Sequence, residues 1–238
     1  MGLYRDQGVV LRTMRLGEAD RIVAIVTAGH GKVRAVVKGV RKTTSRFGAR
    51  LEPLSHVSLL LYEGRELDIV TQAESIDHFR AVREDLDRMV RATSLLEVVD
   101  QVAQPGTANP RLYQMLVGAL RALAARDSPL LVAAFFWKLL SLEGFHPLLE
   151  RCATCGTDQA LAAFDLTEGG VLCHGCRRGS ALSPEAIELL RRILGGGLAG
   201  VLEEPASPAT AEVERLATRA VEHHLERRVR SLDALHRH

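Results

Sequence analysis

Aromatic residues are scarce in this chain, at 4% of 238 residues, so its cores must rest on Leu, Val, Ile and Ala. The signatures of nucleotide binding are missing as well. Gly31-Lys32 lacks the earlier glycine of a Walker A loop, and Val33 stands where that loop has Ser or Thr. Gly29-His30-Gly31 is not followed by the third glycine of a dinucleotide fingerprint. Neither G-x-S-x-G nor H-E-x-x-H occurs. His223 and His224 are adjacent on a helical stretch, so they face different directions, and Asp165 and Glu168 have no visible partner carboxylate. These gaps argue against an active site and against a small-molecule substrate. The longest strictly apolar run, Leu130 to Trp137, is too short to span a bilayer. Arg5 and Asp6 precede any apolar stretch and no secretory h-region follows, which points to the cytoplasm. There the four cysteines are not expected to pair as structural disulfides.

What is present begins with charge. The net charge is only +2, but it is unevenly spread. Lys32, Arg34, Lys38, Arg41, Lys42, Arg46 and Arg50 follow one another with no Asp or Glu among them. Such a segment raises the local potential and attracts polyanions, of which nucleic acid is the commonest.

Up to about residue 75 the pattern is that of strands. Gly8–Arg15, Asp20–Thr27, Lys32–Val37, Leu54–Tyr62 and Leu67–Ser75 are β-branched or alternate apolar with polar residues. Ala28-Gly29-His30-Gly31 makes a tight turn, and Glu63-Gly64-Arg65 a hairpin turn. Five short strands predict a closed barrel of the OB-fold kind, with Gly39–Arg50 as a mobile loop between the third and fourth strands. From about Phe79 the apolar period becomes helical. Asn109-Pro110, Ser128-Pro129, Ser183-Pro184 and Ser207-Pro208 each place an N-cap before a proline at the first helical position. Gly195-Gly196-Gly197 ends one helix, and a last helix is expected from about Ala209 to Arg230. The predicted class is α+β multi-domain: a five-stranded OB-fold DNA-binding domain over 1–79, then a helical domain over 80–238 with a zinc finger inserted at about 150–180.

Cys152-Ala-Thr-Cys155 and Cys173-His-Gly-Cys176 form C-x2-C-x17-C-x2-C and use every cysteine in the chain. Each knuckle turns two sulfurs to one side, with Gly156 and Gly175 easing the turns, and Zn²⁺ takes four thiolates in a tetrahedron. A thioredoxin-like redox pair would show a single C-x-x-C at a helix start. One Zn²⁺ held by Cys152, Cys155, Cys173 and Cys176 has no open position for water, so the site is structural. Thr157 to Val171 carries few large apolar side chains, so the metal is expected to substitute for hydrophobic burial. His174 reads as an exposed histidine.

Lys32, Arg34 and Lys38 share one parity, hence one face of a strand, with Val33, Val36 and Val37 as inward or flanking packing. Phe47 and Tyr62 are the only nearby aromatics, so base stacking is expected to be sparse. Binding led by phosphates and nearly independent of sequence is expected, with a log–log salt slope of roughly −3 for about four to five contacts on a single strand.

Several segments are similar to those of one known protein family. Gly17-Glu18-Ala19-Asp20-Arg21-Ile22-Val23 is similar to the family's entry into its second strand. Thr27-Ala28-Gly29-His30-Gly31-Lys32 is similar to its T-x-x-x-G-K turn. Lys38-Gly39-Val40-Arg41-Lys42 with Ser45-Arg46 resembles its basic loop, and Leu51-Glu52-Pro53 the approach to its fourth strand. Leu142-Glu143-Gly144-Phe145-His146-Pro147, Gly169-Gly170 and the two cysteine knuckles resemble its helical domain with a zinc finger. Together these segments resemble the RecO family of bacterial DNA repair proteins, and the resemblance implies a non-enzymatic recombination mediator that binds ssDNA and dsDNA and anneals complementary strands. It also implies partnership with RecR and help in loading RecA on DNA coated with single-strand-binding protein (SSB). A zinc-containing, sequence-specific transcription regulator, a nuclease or zinc hydrolase, and a scaffold without annealing activity are the alternatives. The regulator would need a recognition helix, whereas the basic cluster lies in a strand and loop. The enzyme would need an open metal site or carboxylate cluster.

Overall fold

The computed structural model describes residues 2–40, 45 and 47–232. Five strands form a closed barrel: β1 (Leu3–Leu16), β2 (Asp20–Thr27), β3 (Gly31–Val37), β4 (His56–Tyr62) and β5 (Asp68–Asp77). Their order around the barrel is β1-β2-β3-β5-β4, with β4 returning to β1. All ladders are antiparallel except the short β3–β5 pairing at Ala35↔Asp68 and Val36↔Ile69. This is the OB-fold plan expected from the strand count. β1 starts earlier than its apolar residues suggest, because Leu3–Gln7 pair with β4 alone and only from Gly8 onward does β1 also pair with β2. The barrel interior is filled by Val10, Val23, Ile25, Val33, Ala35, Val37, Val57, Leu59, Leu61 and Val70, a core of β-branched and Leu side chains suited to a pleated surface.

Phe47 corrects one expectation. It is 3% exposed and packs with Leu51 into the barrel core, so it is not available for base stacking. The Gly48–Leu51 segment behind it is a 3₁₀ turn, so this end of the long loop is regular. Gly31 is the one glycine of its turn with positive φ, at 68°. A Cβ there would lie 2.2 Å from the Thr107 carbonyl oxygen and 2.7 Å from that of Gln104. Glycine is therefore required for its conformation and for the close passage of the 104–107 backbone, where the Lys32 amide donates to the Gln104 carbonyl at 3.0 Å.

Helices follow: α1 (Arg80–Arg83), α2 (Leu86–Val102), α3 (Pro110–Ala125) and α4 (Leu131–Leu142). The chain divides into two compact units, Met1–Ala125 with Arg230–His238, and Arg126–Val229. The first holds the barrel and α1 to α3. Inside it His56 meets the Tyr113 hydroxyl at 2.7 Å, and the Arg83 guanidinium donates to the Pro53 carbonyl at 2.7 Å. Burial, then the Arg121 charge, pulls the His56 pKa below its ordinary value, against Asp77. The Glu97 carboxylate accepts from the Arg230 and Ser231 amides and from the Ser231 hydroxyl, tying the returning chain to α2.

The second unit packs α4 with α5 (Pro184–Leu194), α6 (Leu198–Val201) and α7 (Pro208–Leu225). It also carries a small sheet ordered β7-β6-β8, built from β6 (Leu161–Asp165), β7 (Gly170–Cys173) and β8 (Ser180–Ala181). Ser183 and Ser207 cap α5 and α7 through the Ala186 and Thr210 amides, and Asn109 caps α3 through the Leu112 amide. Ser128-Pro129 does not open α4, whose N-cap is Leu130 without a side-chain bond. The last helix ends at Leu225, short of the expected Arg230, because Glu226 turns left-handed at φ 52°.

Candidate nucleic-acid interface and metal centre

The parity of β3 sorts its side chains. Val33, Ala35 and Val37 point into the barrel, while Lys32, Arg34 and Val36 line the outer side. Val36 therefore belongs with the cations and not with the packing residues. Arg34 is exposed, and so is Lys38, which lies in the turn just past β3. Among the described residues neither side chain makes a hydrogen bond or ion pair. Lys32 is different. Its side chain is 16% exposed, it donates to the Asp100 carbonyl, and its ammonium lies 3.5 Å from the Asp100 carboxylate. Arg12 holds the same carboxylate at 2.6 Å. Arg50 is exposed on the 3₁₀ turn, and Arg41, Lys42 and Arg46 lie outside the described residues.

A segment free of acids in sequence is thus not free of them in space. Asp100 from α2 reaches Lys32, Asp20 accepts from the Gly39 amide at 2.7 Å, and Glu52 holds Arg21. Among the described residues, Arg34 and Lys38 therefore give this face more uncompensated positive charge than Lys32 does. Beside β3 runs a groove of about 560 Å³, lined among others by Tyr4, His30, Lys32, Arg34, Arg65 and Asp68. Tyr4, His30 and Arg65 carried no periodic signal. They come from the first strand, a turn and a hairpin tip, and only the folded barrel gathers them.

In the second unit the four cysteine sulfurs lie within 4.8 Å of one another. Two knuckles converge because β6 pairs with β7 at Leu161↔Cys173, and the Ala153 amide donates to the Val171 carbonyl at 2.9 Å. The first knuckle closes with the Gly156 amide on the Cys152 carbonyl and a left-handed Gly156 at φ 77°. Gly175 does no such work: its φ is not positive, and an added Cβ would meet only the Cys173 sulfur, at 3.9 Å. The donor set fits a metal. A tetrahedral ion with bonds of about 2.3 Å to sulfur needs sulfurs about 3.8 Å apart. Cys155 and Cys173 stand 3.7 Å apart.

Electrostatics agree with that fit. Burial opposes ionisation of Cys152, but backbone hydrogen bonds from Cys155, Cys173 and Thr154 outweigh it and bring its pKa to about 6. The hydrogen bond with Cys155, then burial, pushes the Cys176 thiol up to about 12. The finger is also better packed than its composition suggests, since Phe164 is buried and meets the Trp137 ring edge-on at 5.7 Å. His174 is exposed, as expected. Arg178 is bound to Glu168 and lies 3.5 Å from Asp165.

Comparison with known proteins then decides the family. The family model described as Recombination protein O N terminal matches residues 1–79, and that described as Recombination protein O C terminal matches residues 83–233. The chain belongs to the RecO family. It is also 43% identical over 239 residues to "DNA repair protein RecO" of a Nocardioides species, covering 97% of this chain and 98% of that relative. RecO membership makes this a DNA repair protein. The chain has an OB-type barrel and a helical region that holds a cysteine cluster able to take a metal ion. Among the described residues of this RecO chain, no helix is long and apolar enough to cross a membrane.

Proposed function

We propose that this protein is a non-enzymatic recombination mediator that works in the cytoplasm, on DNA of the nucleoid. It binds ssDNA and dsDNA through the outer face of β3 and the loop that follows. Arg34, Lys38, Arg41, Lys42, Arg46 and Arg50 hold phosphates, with Lys32 contributing less because Asp100 already engages it. The observation that carries this reading is the exposed Arg34 and Lys38 on a RecO-family barrel, with no side-chain hydrogen bond or ion pair among the described residues, at the start of a run of four further cations.

Phosphate contacts position a strand without reading its bases, so binding is nearly independent of sequence. A protein that neutralises two strands at once lowers the repulsion that slows their annealing. The family relationship supports partnership with RecR, action on SSB-coated strands and assistance to RecA loading. Cys152, Cys155, Cys173 and Cys176 would hold one structural Zn²⁺. Four thiolates fill its coordination shell, so the ion orders the finger and does not present a water for catalysis.

The direct test is charge reversal of Lys38→Glu together with Arg41→Glu. Binding of a labelled single strand should fall by at least about a hundredfold, as expected when two phosphate contacts become repulsive, with the fold intact by circular dichroism. Unchanged affinity in the folded double variant would remove this surface from consideration.

A further inference from the structure

Resting on the DNA-binding reading above, we propose that the imidazole of His30, backed by Tyr4, is a stacking platform for one nucleobase, with the adjoining phosphate held by Arg34 or Arg65. Base contacts in this fold come from flat π-faces beside a cationic track. Of the other aromatics near this segment, Phe47 is in the core, and Tyr62, though exposed, does not line the β3 groove. His30 lines the groove beside Tyr4, and its side chain is 48% exposed.

The ring is held in place from two sides. Its Nδ1 bonds the Asp6 carboxylate at 2.6 Å, and its face tilts against the Tyr4 ring with centroids 4.4 Å apart. Asp6 is itself fixed by the Gly29 amide at 3.1 Å and the Gln7 amide at 2.7 Å. Tyr4 is fixed by its hydroxyl on Asp68, which also accepts from the Gly64 amide at 2.9 Å. A platform ordered before binding loses little freedom when a base lands on it.

The charge of the groove also fits a base better than a bare phosphate. Arg34 and Arg65 are exposed and, among the described residues, their side chains make no hydrogen bond or ion pair, while Glu63 and Glu66 line the same groove. That mixed lining disfavours a second phosphate inside and suits a neutral ring with polar edges. At about 560 Å³ the groove is within the size range of ligand clefts, roughly 300–1,000 Å³.

The test compares two probes with the same number of phosphates, an oligodeoxyadenylate and an abasic oligomer, titrated against the full-length protein by fluorescence anisotropy. The unaltered protein should prefer the adenylate by about tenfold, the effect of roughly one stacked base. His30→Ala should abolish that preference and leave abasic binding unchanged, and His30→Tyr should restore much of it. His30→Gln keeps a donor for Asp6 without an aromatic ring and should behave as His30→Ala does, which separates loss of stacking from loss of the Asp6 contact if the alanine variant fails to fold. A folded His30→Gln variant that retains the preference, or that weakens both probes equally, overturns the platform. Failure of the unaltered protein to bind either probe overturns the DNA-binding reading itself.

Discussion

Lys32 and Arg34 sit two residues apart on one strand face, yet they should contribute very differently to DNA binding. Each phosphate neutralised on a single strand releases condensed counterions and adds about 0.7 to the magnitude of the slope of log affinity against log salt. A lysine already neutralised by a carboxylate releases few of them. Lys32 shares Asp100 with Arg12, at 3.5 Å and 2.6 Å, and its side chain is largely covered. Arg34 makes no such pair among the described residues and faces solvent. Arg34→Ala should therefore flatten the slope by about 0.7, and Lys32→Ala by a small fraction of that. Asp100→Asn should work in the opposite direction, since it frees two cations, steepening the slope by about 0.7 or more and tightening binding at low salt. Anisotropy titrations of a labelled single strand across a salt series read all three variants directly. If Lys32→Ala and Arg34→Ala flatten the slope equally, the assignment of charge by spatial pairing is wrong.

Two further outcomes follow from buried groups. His56 has a lowered pKa in the folded barrel unit, mainly because burial penalises its charged form, so below its ordinary value near 6.5 the unfolded chain binds more protons. Stability should then be fully present above about pH 6.5 and fall as pH drops through that value, and His56→Gln should lessen the fall in urea titrations; an identical pH dependence in the variant would refute this. Cys152→Ser removes one of the four sulfurs from a buried position. Bound zinc should drop well below one equivalent by metal analysis, and the fluorescence of Trp137, which packs on Phe164 of the finger, should report melting at lower temperature. A metal-free variant that melts like the unaltered protein would contradict the structural role.

How much of this was legible in the sequence depended on the range of the forces involved. β2 was readable to the residue because Ile22, Val23, Ile25 and Val26 lie on a β-branched background, and both sides of the strand are paired. The first half of β1 was not, since Leu3-Tyr4-Arg5-Asp6-Gln7 pairs on one side only and has no apolar alternation to betray it. Serine caps at 183 and 207 were local and correctly placed, whereas Ser128-Pro129 forms a turn with α4 starting beyond it. The end of α7 could not be seen because Glu226-Arg227-Arg228 contains no breaker, and its left-handed residue is a glutamate. The cysteines announced their cluster because knuckle spacing is a local property. The pairing of Lys32 with Asp100, the burial of Phe47 and the meeting of Tyr4 with His30 were invisible, since each joins residues that only the closed barrel unit brings together.

The measurement closest to the central claim follows duplex formation between complementary oligonucleotides precoated with SSB, with and without this protein and with no nucleotide added. The account expects faster annealing with the intact protein, and loss of that acceleration when Lys38→Glu and Arg41→Glu are combined. Divalent-metal-dependent cleavage of the strands, or no acceleration by the intact protein either alone or with RecR, would contradict it.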